Sequence, residues 1–265
     1  MKLPFAQIDA FATRPFAGNQ AAVILLDAWL DDPVLQAIAA ENNLSETAFL
    51  VPDRNEQADY LLRWFTPTVE VALCGHATLA SGHYVLNHTD FHREWVRFLT
   101  RKAGVLEVRE DDHGLAMALP AYPPESVDMT PMVKALGVSR PVDSLWHPNG
   151  YGVIVLADEA AVLAVQPDFT ALAAIGDTLN IVTAPGDTAD VVSRVFAPAA
   201  GIDEDPVTGG AHAVIAPYWA KRLKRNRFTA LQASQRGGRI DCEVDGARVI
   251  LRGTCVTVIE GSFFL

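Results

Sequence analysis

Arg63-Trp64-Phe65-Thr66-Pro67, a short connection, then Leu73-Cys74-Gly75-His76-Ala77-Thr78-Leu79-Ala80 reads as a strand running into the start of a helix. The helix is apolar on most sides through Ala77, Leu79, Ala80, Tyr84, Val85 and Leu86, the pattern of a buried helix. Half a chain later, Arg194-Val195-Phe196-Ala197-Pro198 leads to Thr208-Gly209-Gly210-Ala211 and on to His212-Ala213-Val214-Ile215-Ala216. Each stretch has Arg-x-Phe-x-Pro, a connection, a glycine and an apolar helix rich in small residues. Self-similarity in the same order is the outline of an internal duplication. The chain therefore reads as two related halves, each built on one central helix.

The surrounding segments fit strand-rich layers around those helices. Strands are expected at residues 3–10, 46–51, 59–65, 95–99, 104–109 and 115–119. A further strand at 21–26, apolar throughout, is expected to be covered on both faces. A helix begins at Asp31 or Asp32 with Pro33 in its first turn and stops near Asn42-Asn43. The second half is expected to carry helices at 131–136 and 169–175. Its strands are expected at 151–156, 179–183, 191–196, 227–233, 239–244, 247–251 and 255–259. Pro217 should kink or end the second central helix. Residues 120–124 hold three prolines and mark the domain boundary, giving domains 1–119 and 120–265. The fold class is α+β.

The 265 residues are half apolar, enough to bury a sizeable core. A net charge of −11 argues against nucleic acid, which needs a basic footprint. Backbone donors at a helix start still allow a small anionic ligand. No signal-peptide core or transmembrane run is present, so a cytoplasmic protein without a membrane partner is expected. Cys74, Cys242 and Cys255 are too widely spaced for a disulfide framework or a metal-binding pair.

Several residues can carry chemistry. Glu46, at a loop-to-strand junction with apolar neighbours, is either a proton-transfer group or a solvated glutamate. His76 follows Gly75 at a helix start, where N–H groups can hold a carboxylate and an imidazole can relay a proton; a histidine simply hydrogen-bonded there is the alternative. Cys74 is either an activated thiolate or a packing residue. Asp203, Glu204 and Asp205 complement the second helix dipole. Asp205, held extended by Pro206, can also face a substrate. Thr208 is a natural N-cap, and Gly209 and Gly210 permit close backbone approach. No metal site is expected. Spacing of His83, His88 and His92 is a weak signal, and residues 221–227 read as a solvated basic helix end.

Asn43-Leu44-Ser45-Glu46-Thr47, Phe65-Thr66-Pro67, Cys74-Gly75-His76-Ala77-Thr78 and Glu204-Asp205-Pro206-Val207-Thr208-Gly209 together resemble the phenazine-biosynthesis PhzF-like family. Gly18-Asn19 and the run from Gln232 to Gly238 match too, so the motifs span nearly the whole chain in order. The resemblance implies the diaminopimelate epimerase fold, with two pseudo-symmetric domains, each a sheet wrapped around a central helix, and a site in the cleft between them. It implies a cofactor-free isomerase of a small carboxylate that works by proton shuttling. Glu46 is the implied principal acid/base, with His76 and Asp205 as its polar companions. Gly75, Gly209 and Gly210 at the two helix starts, Cys74 and Asn19 are the implied substrate-binding residues, and a homodimer is the implied assembly. Two positions depart from the family pattern. Gln20 stands where proline is common and Gly210 where a serine hydroxyl is common, so the resemblance does not carry the phenazine substrate over. Similar epimerases use a cysteine on each half; Thr208 in the second half argues against two-thiol racemisation. An epimerase using Cys74, or a metabolite-binding protein without catalysis, are the alternative readings.

Overall fold

A computed structural model describes residues 1–89 and 92–265, and its chain divides into two compact units, 1–118 with 252–265, and 119–251. In the first, β1 (Lys2–Ala10) pairs antiparallel with β2 (Asn19–Leu25). Helix α1 (Asp32–Asn42) follows, with Asp31 as N-cap, Pro33 in its first turn and Asn43 in the left-handed conformation at its end. Then come β3 (Glu46–Pro52), parallel to β2, β4 (Tyr60–Phe65), antiparallel to β3, and the short β5 (Glu70–Val71). After α2 (Gly75–His88) the unit is completed by β6 (Trp95–Thr100), parallel to β4, and the meander through β7 (Val105–Asp111) and β8 (Gly114–Pro120).

Ala21, Ala22, Val23 and Ile24 are all fully buried, as expected for a strand lined on both sides. One face of the unit's sheet is covered by α1, whose Leu35 and Ile38 pack with Ile24, Phe49 and Phe65; each such side chain contributes about 1.5–3 kcal/mol by burial. Helix α2 lies against β1, β2, β3, β6 and β7. It is buried along Ala77, Thr78, Leu79, Ala80, Ser81 and Gly82, as expected for a helix apolar on most sides and rich in small residues. Gly82 lets β7 approach: a Cβ there would lie 2.4 Å from Val108 Cγ1.

The sequence reading assigned residues 252–265 to the second domain. The last strand (Cys255–Phe264) belongs instead to the first unit, because it pairs antiparallel with β1 along its whole length, from Lys2↔Phe264 to Ala10↔Cys255.

The second unit starts with β9 (Glu125–Ser126), α3 (Thr130–Ala135), β10 (Asp143–His147) and β11 (Tyr151–Val155). Then follow α4 (Glu159–Leu163), α5 (Phe169–Ala173), β12 (Leu179–Pro185), β13 (Val191–Ala197) and β14 (Ile202–Asp205). Helix α6 (Gly209–Leu223), β15 (Arg227–Gln232), β16 (Gly238–Asp245) and β17 (Arg248–Gly253) complete it. Its pairing repeats the first unit step for step: β10–β11 antiparallel, β11–β12 parallel, β12–β13 antiparallel, β13–β15 parallel, β15–β16 antiparallel. The duplication seen in the sequence is thus a duplication of topology. The short strands β9 and β14, strand β10 and helix α4 were not expected from the sequence.

Pro217 neither ends nor replaces the helix, which continues through it to Leu223. Proline removes the hydrogen bond to the carbonyl four residues earlier, here Ala213. The Tyr122 N–H donates to that carbonyl at 3.0 Å, so the orphaned acceptor is satisfied from outside the helix.

The repeated Arg-x-Phe has a direct cause. Residues two apart on a strand share a face, so Arg63 lies over the Phe65 ring at 4.9 Å and Arg194 over Phe196 at 5.0 Å. Arg63 then forks onto Glu70 at 2.7 and 2.8 Å, and Arg194 onto Glu204 at 2.7 and 3.0 Å. Glu204 is therefore a scaffold residue that locks β14 to β13.

Candidate active site

Glu46 is the first residue of β3, and His76 is the second of α2. The turn before β2 places a third group. Gly18 has φ +65° and its missing Cβ would overlap the Ala10 carbonyl. Only glycine fits there, and the bend delivers Asn19 to the start of β2. The three side chains meet. Glu46 Oε2 is 2.9 Å from His76 Nε2, Asn19 Nδ2 is 3.2 Å from His76 Nδ1, and the Ser45 hydroxyl donates to Asn19 Oδ1 at 3.0 Å. Glu46, His76 and Asn19 are buried, with Asn19 wholly inaccessible. The Glu46–His76 contact has the distance of an ion pair, yet among the described residues Oε2 makes no aligned hydrogen bond. That leaves an acceptor lone pair on a buried carboxylate uncommitted.

Cys74 Sγ lies 3.5 Å from His76 Nδ1. Burial, reinforced by the Glu46 carboxylate, pushes its thiol up to about 11, so it is a neutral thiol near neutrality and not an activated nucleophile. For His76, burial pulls downward, but the neighbouring Cys74 and Glu46 outweigh it and hold the ring's pKa well above the usual histidine range. With Cys74 neutral, the Glu46 carboxylate is the charge that does so. Glu46, Cys74 and His76 also place one ligand atom each within 4.8 Å of one another. That donor set suits a divalent cation only at the cost of the thiol proton and of the Glu46–His76 contact. His83 and His88 are occupied elsewhere, each meeting Thr257 Oγ1 at 3.0 Å.

The second unit gathers its own set. Thr208 is the N-cap residue of α6, but its side chain makes no capping bond; the hydroxyl donates to Asp205 Oδ2 instead. Gln232, fully buried, accepts from the Thr208 N–H at 2.9 Å and donates to the Asp205 carbonyl at 2.7 Å and to Thr208 Oγ1 at 3.1 Å. Asp205 is thereby fixed from two sides, and Gly209 and Gly210 open the helix. Gly210 faces Tyr151: a Cβ there would come within 3.0 Å of the Tyr151 hydroxyl. Tyr151 stacks with Tyr122, which also meets His147.

Sequence reasoning named Glu46, Cys74, Gly75, His76 and Asn19, and the first unit brings them together around the start of α2. Asp205, Gly209 and Gly210 are likewise together in the second. Asn19 is buried, with its amide against Ser45 and His76. Ser45, Gln232 and Tyr151 were not named as site residues. Ser45 and Gln232 stand inside motifs that carried the resemblance, which was the available signal; nothing marked Tyr151.

A family model described as phenazine biosynthesis-like protein matches residues 8–261. Two proteins of Pseudomonas aeruginosa named uncharacterized isomerases are similar throughout: one is 48% identical over 262 residues, covering 98% of each chain, and the other 46% identical over 267, covering 100% of each. The crystal structure of a PhzF-family phenazine biosynthesis protein from Enterococcus faecalis matches with a TM-score of 0.93 at 42% identity, covering 100% of both chains. The α+β architecture expected from the sequence, that of the diaminopimelate epimerase fold, is therefore the one found. Similarity of this extent, in sequence and in fold, makes the chain a member of the phenazine biosynthesis-like PhzF family.

Proposed function

We propose that the protein is a cofactor-independent isomerase of a small carboxylate substrate, working by proton transfer through Glu46. The observation that carries this is the buried contact of Glu46 with His76 at 2.9 Å. A carboxylate with an uncommitted lone pair takes a proton from an acidic C–H. The same group, now protonated, returns it to another atom of the substrate. His76 stabilises the ionised Glu46 between turnovers and sits beside the proton when Glu46 carries it. The helix start at Gly75, beside this pair, offers N–H donors to a substrate carboxylate; within the second unit, the helix start at Gly209 offers the same donors and Asp205 a further acidic group. The names of the Pseudomonas aeruginosa relatives support the reaction class. A Cys74-based epimerase is not favoured, because the thiol is neutral and its counterpart in the second unit is Thr208.

A thermal-shift screen of small aromatic and amino-acid carboxylates identifies binders. Each binder is then incubated with enzyme in deuterated water and followed by proton NMR. Wild type should exchange substrate hydrogen for deuterium and Glu46→Gln should not. Equal exchange rates in the two proteins would remove Glu46 from the reaction.

A further inference from the structure

We propose that Asn19 is a positioning residue that directs the His76 proton onto Nε2, the nitrogen facing Glu46. This deepens the isomerase reading and rests on it for its functional meaning, though not for its geometry. The chain of contacts runs Ser45 Oγ to Asn19 Oδ1 at 3.0 Å, Asn19 Nδ2 to His76 Nδ1 at 3.2 Å, and His76 Nε2 to Glu46 Oε2 at 2.9 Å. As found, the Ser45 hydroxyl donates to Oδ1, and the Glu46 carboxylate against Nε2 favours this setting of the amide over its reverse while the ring is neutral. The NH2 end, which can only donate, is then the end at the imidazole. Nδ1 must answer with a lone pair. The single proton of a neutral ring is left on Nε2, beside the carboxylate that exchanges protons with substrate.

The same amide accommodates the ring's second proton. Turned over, Oδ1 would accept from Nδ1–H while the NH2 donates to Ser45 Oγ, so neither partner loses its bond. Asn19 and Ser45 thus form a two-position latch that follows the charge of His76, and the other groups against the ring, Glu46 and Cys74, do not change place. An amide suits this role because it offers a donor and an acceptor of nearly the same shape. A carboxylate at position 19 offers only acceptors and would fix a proton on Nδ1. Complete burial of Asn19 keeps water from substituting for either end.

The test is a nitrogen-15 NMR titration of histidine-labelled protein without substrate, with His76 assigned by its loss in His76→Gln. In wild type, the singly protonated ring should carry its proton on Nε2. Asn19→Asp should add a proton on Nδ1 and raise the pH at which the ring loses its second proton. Ser45→Ala changes no charge and involves only a half-buried residue. It should let the amide turn and populate the Nδ1–H form of the neutral ring. An Nδ1–H tautomer in wild type, or a wild-type ring doubly protonated up to the pH of unfolding, would overturn the proposal. So would ring signals unchanged by Asn19→Asp and Ser45→Ala. Failure of the isomerase reading shows separately, as deuterium exchange that survives Glu46→Gln.

Discussion

His212 ties the stability of the second unit to pH, and the size of the effect follows from its surroundings. The side chain lies in the first turn of α6 and is fully buried. Its Nδ1 meets the Thr208 carbonyl at 2.8 Å, so Nδ1 carries the proton, and among the described residues Nε2 meets no hydrogen-bond partner. A second proton would place a buried charge where nothing accepts it. Burial therefore pulls the ring from an ordinary value near 6.5 down to about 4, against a smaller upward pull from the Thr208 carbonyl. The unfolded chain takes up the proton near 6.5, the folded one only near 4. Between those values the unfolded state binds more protons, so stability is lost as pH falls through this window. A gap of roughly 2.5 units at about 1.36 kcal/mol per unit amounts to about 3 kcal/mol at the acid end. The assay is urea unfolding of wild type and His212→Gln from neutrality to about pH 4.5, read as stability against pH. Glutamine can still donate to the Thr208 carbonyl but does not titrate. His83, which burial and the nearby His88 also lower to about 4, is present in both proteins and cancels in the difference. Wild type should lose stability more steeply, and parallel curves would refute the reasoning.

Gly82→Ala should destabilise by roughly 1–3 kcal/mol, because the new methyl would meet Val108 Cγ1 at 2.4 Å and Cβ at 2.6 Å. In a Val108→Ala background most of that cost should vanish, a coupling of about 1 kcal/mol or more in a double-mutant cycle of chemical unfolding. Glu70→Gln leaves the 3%-exposed Arg63 with the exposed Asp32 as its one remaining ionic partner among the described residues, and should cost about 2–3 kcal/mol by the same measurement. Gly210→Ser should fold, with a stability change of about 1 kcal/mol or less, because the Tyr151 hydroxyl at 3.0 Å ends a half-buried side chain that can give way. The near-ultraviolet circular dichroism of the Tyr122–Tyr151 pair should change with it. An unaltered spectrum would mean that the tyrosine does not occupy that space.

Wherever an element is set by local pattern, the sequence was enough. The unbroken apolar run before Leu26, the Asp-Pro start of α1 and the small-residue helices after Gly75 and Thr208 all form as their residues dictate. The departures have tertiary causes. The last strand joins the first unit through pairing with β1, a partner some 250 residues away, and no local property encodes that choice. Pro217 sits in a continuous helix because the Tyr122 backbone supplies a donor from beyond the helix. The same holds for the candidate site. Glu46, Cys74 and His76 are polar or reactive residues in apolar settings and stand out by type. Ser45 and Gln232 are visible only through what they hold, and the burial of Asn19 depends on the Gly18 bend, which no local pattern spells out.

The two units share one scaffold but differ in the titratable side chains it carries. Thr47 pairs with Phe65 and Asn180 with Phe196, which aligns Glu46 with Leu179, each the first residue of its strand. The helix starts align Cys74 with Thr208, His76 with Gly210 and Thr78 with His212. What both units keep is structural: the forked Arg–Glu pair over a phenylalanine, and a side-chain bond from the first helical turn back to the carbonyl four residues earlier, made by Thr78 to Cys74 and by His212 to Thr208. What differs is the titratable set. The second unit has leucine and glycine where the first has the Glu46–His76 pair, and it fixes Asp205 through Thr208 and Gln232 at a position where the first has no matching carboxylate. Restoring symmetry by Leu179→Glu would therefore not create a second carboxylate–imidazole pair. Gly210 offers no imidazole to balance the new charge, and with Tyr151 in register beside position 179 the introduced carboxylate would be an acid without its counter-group.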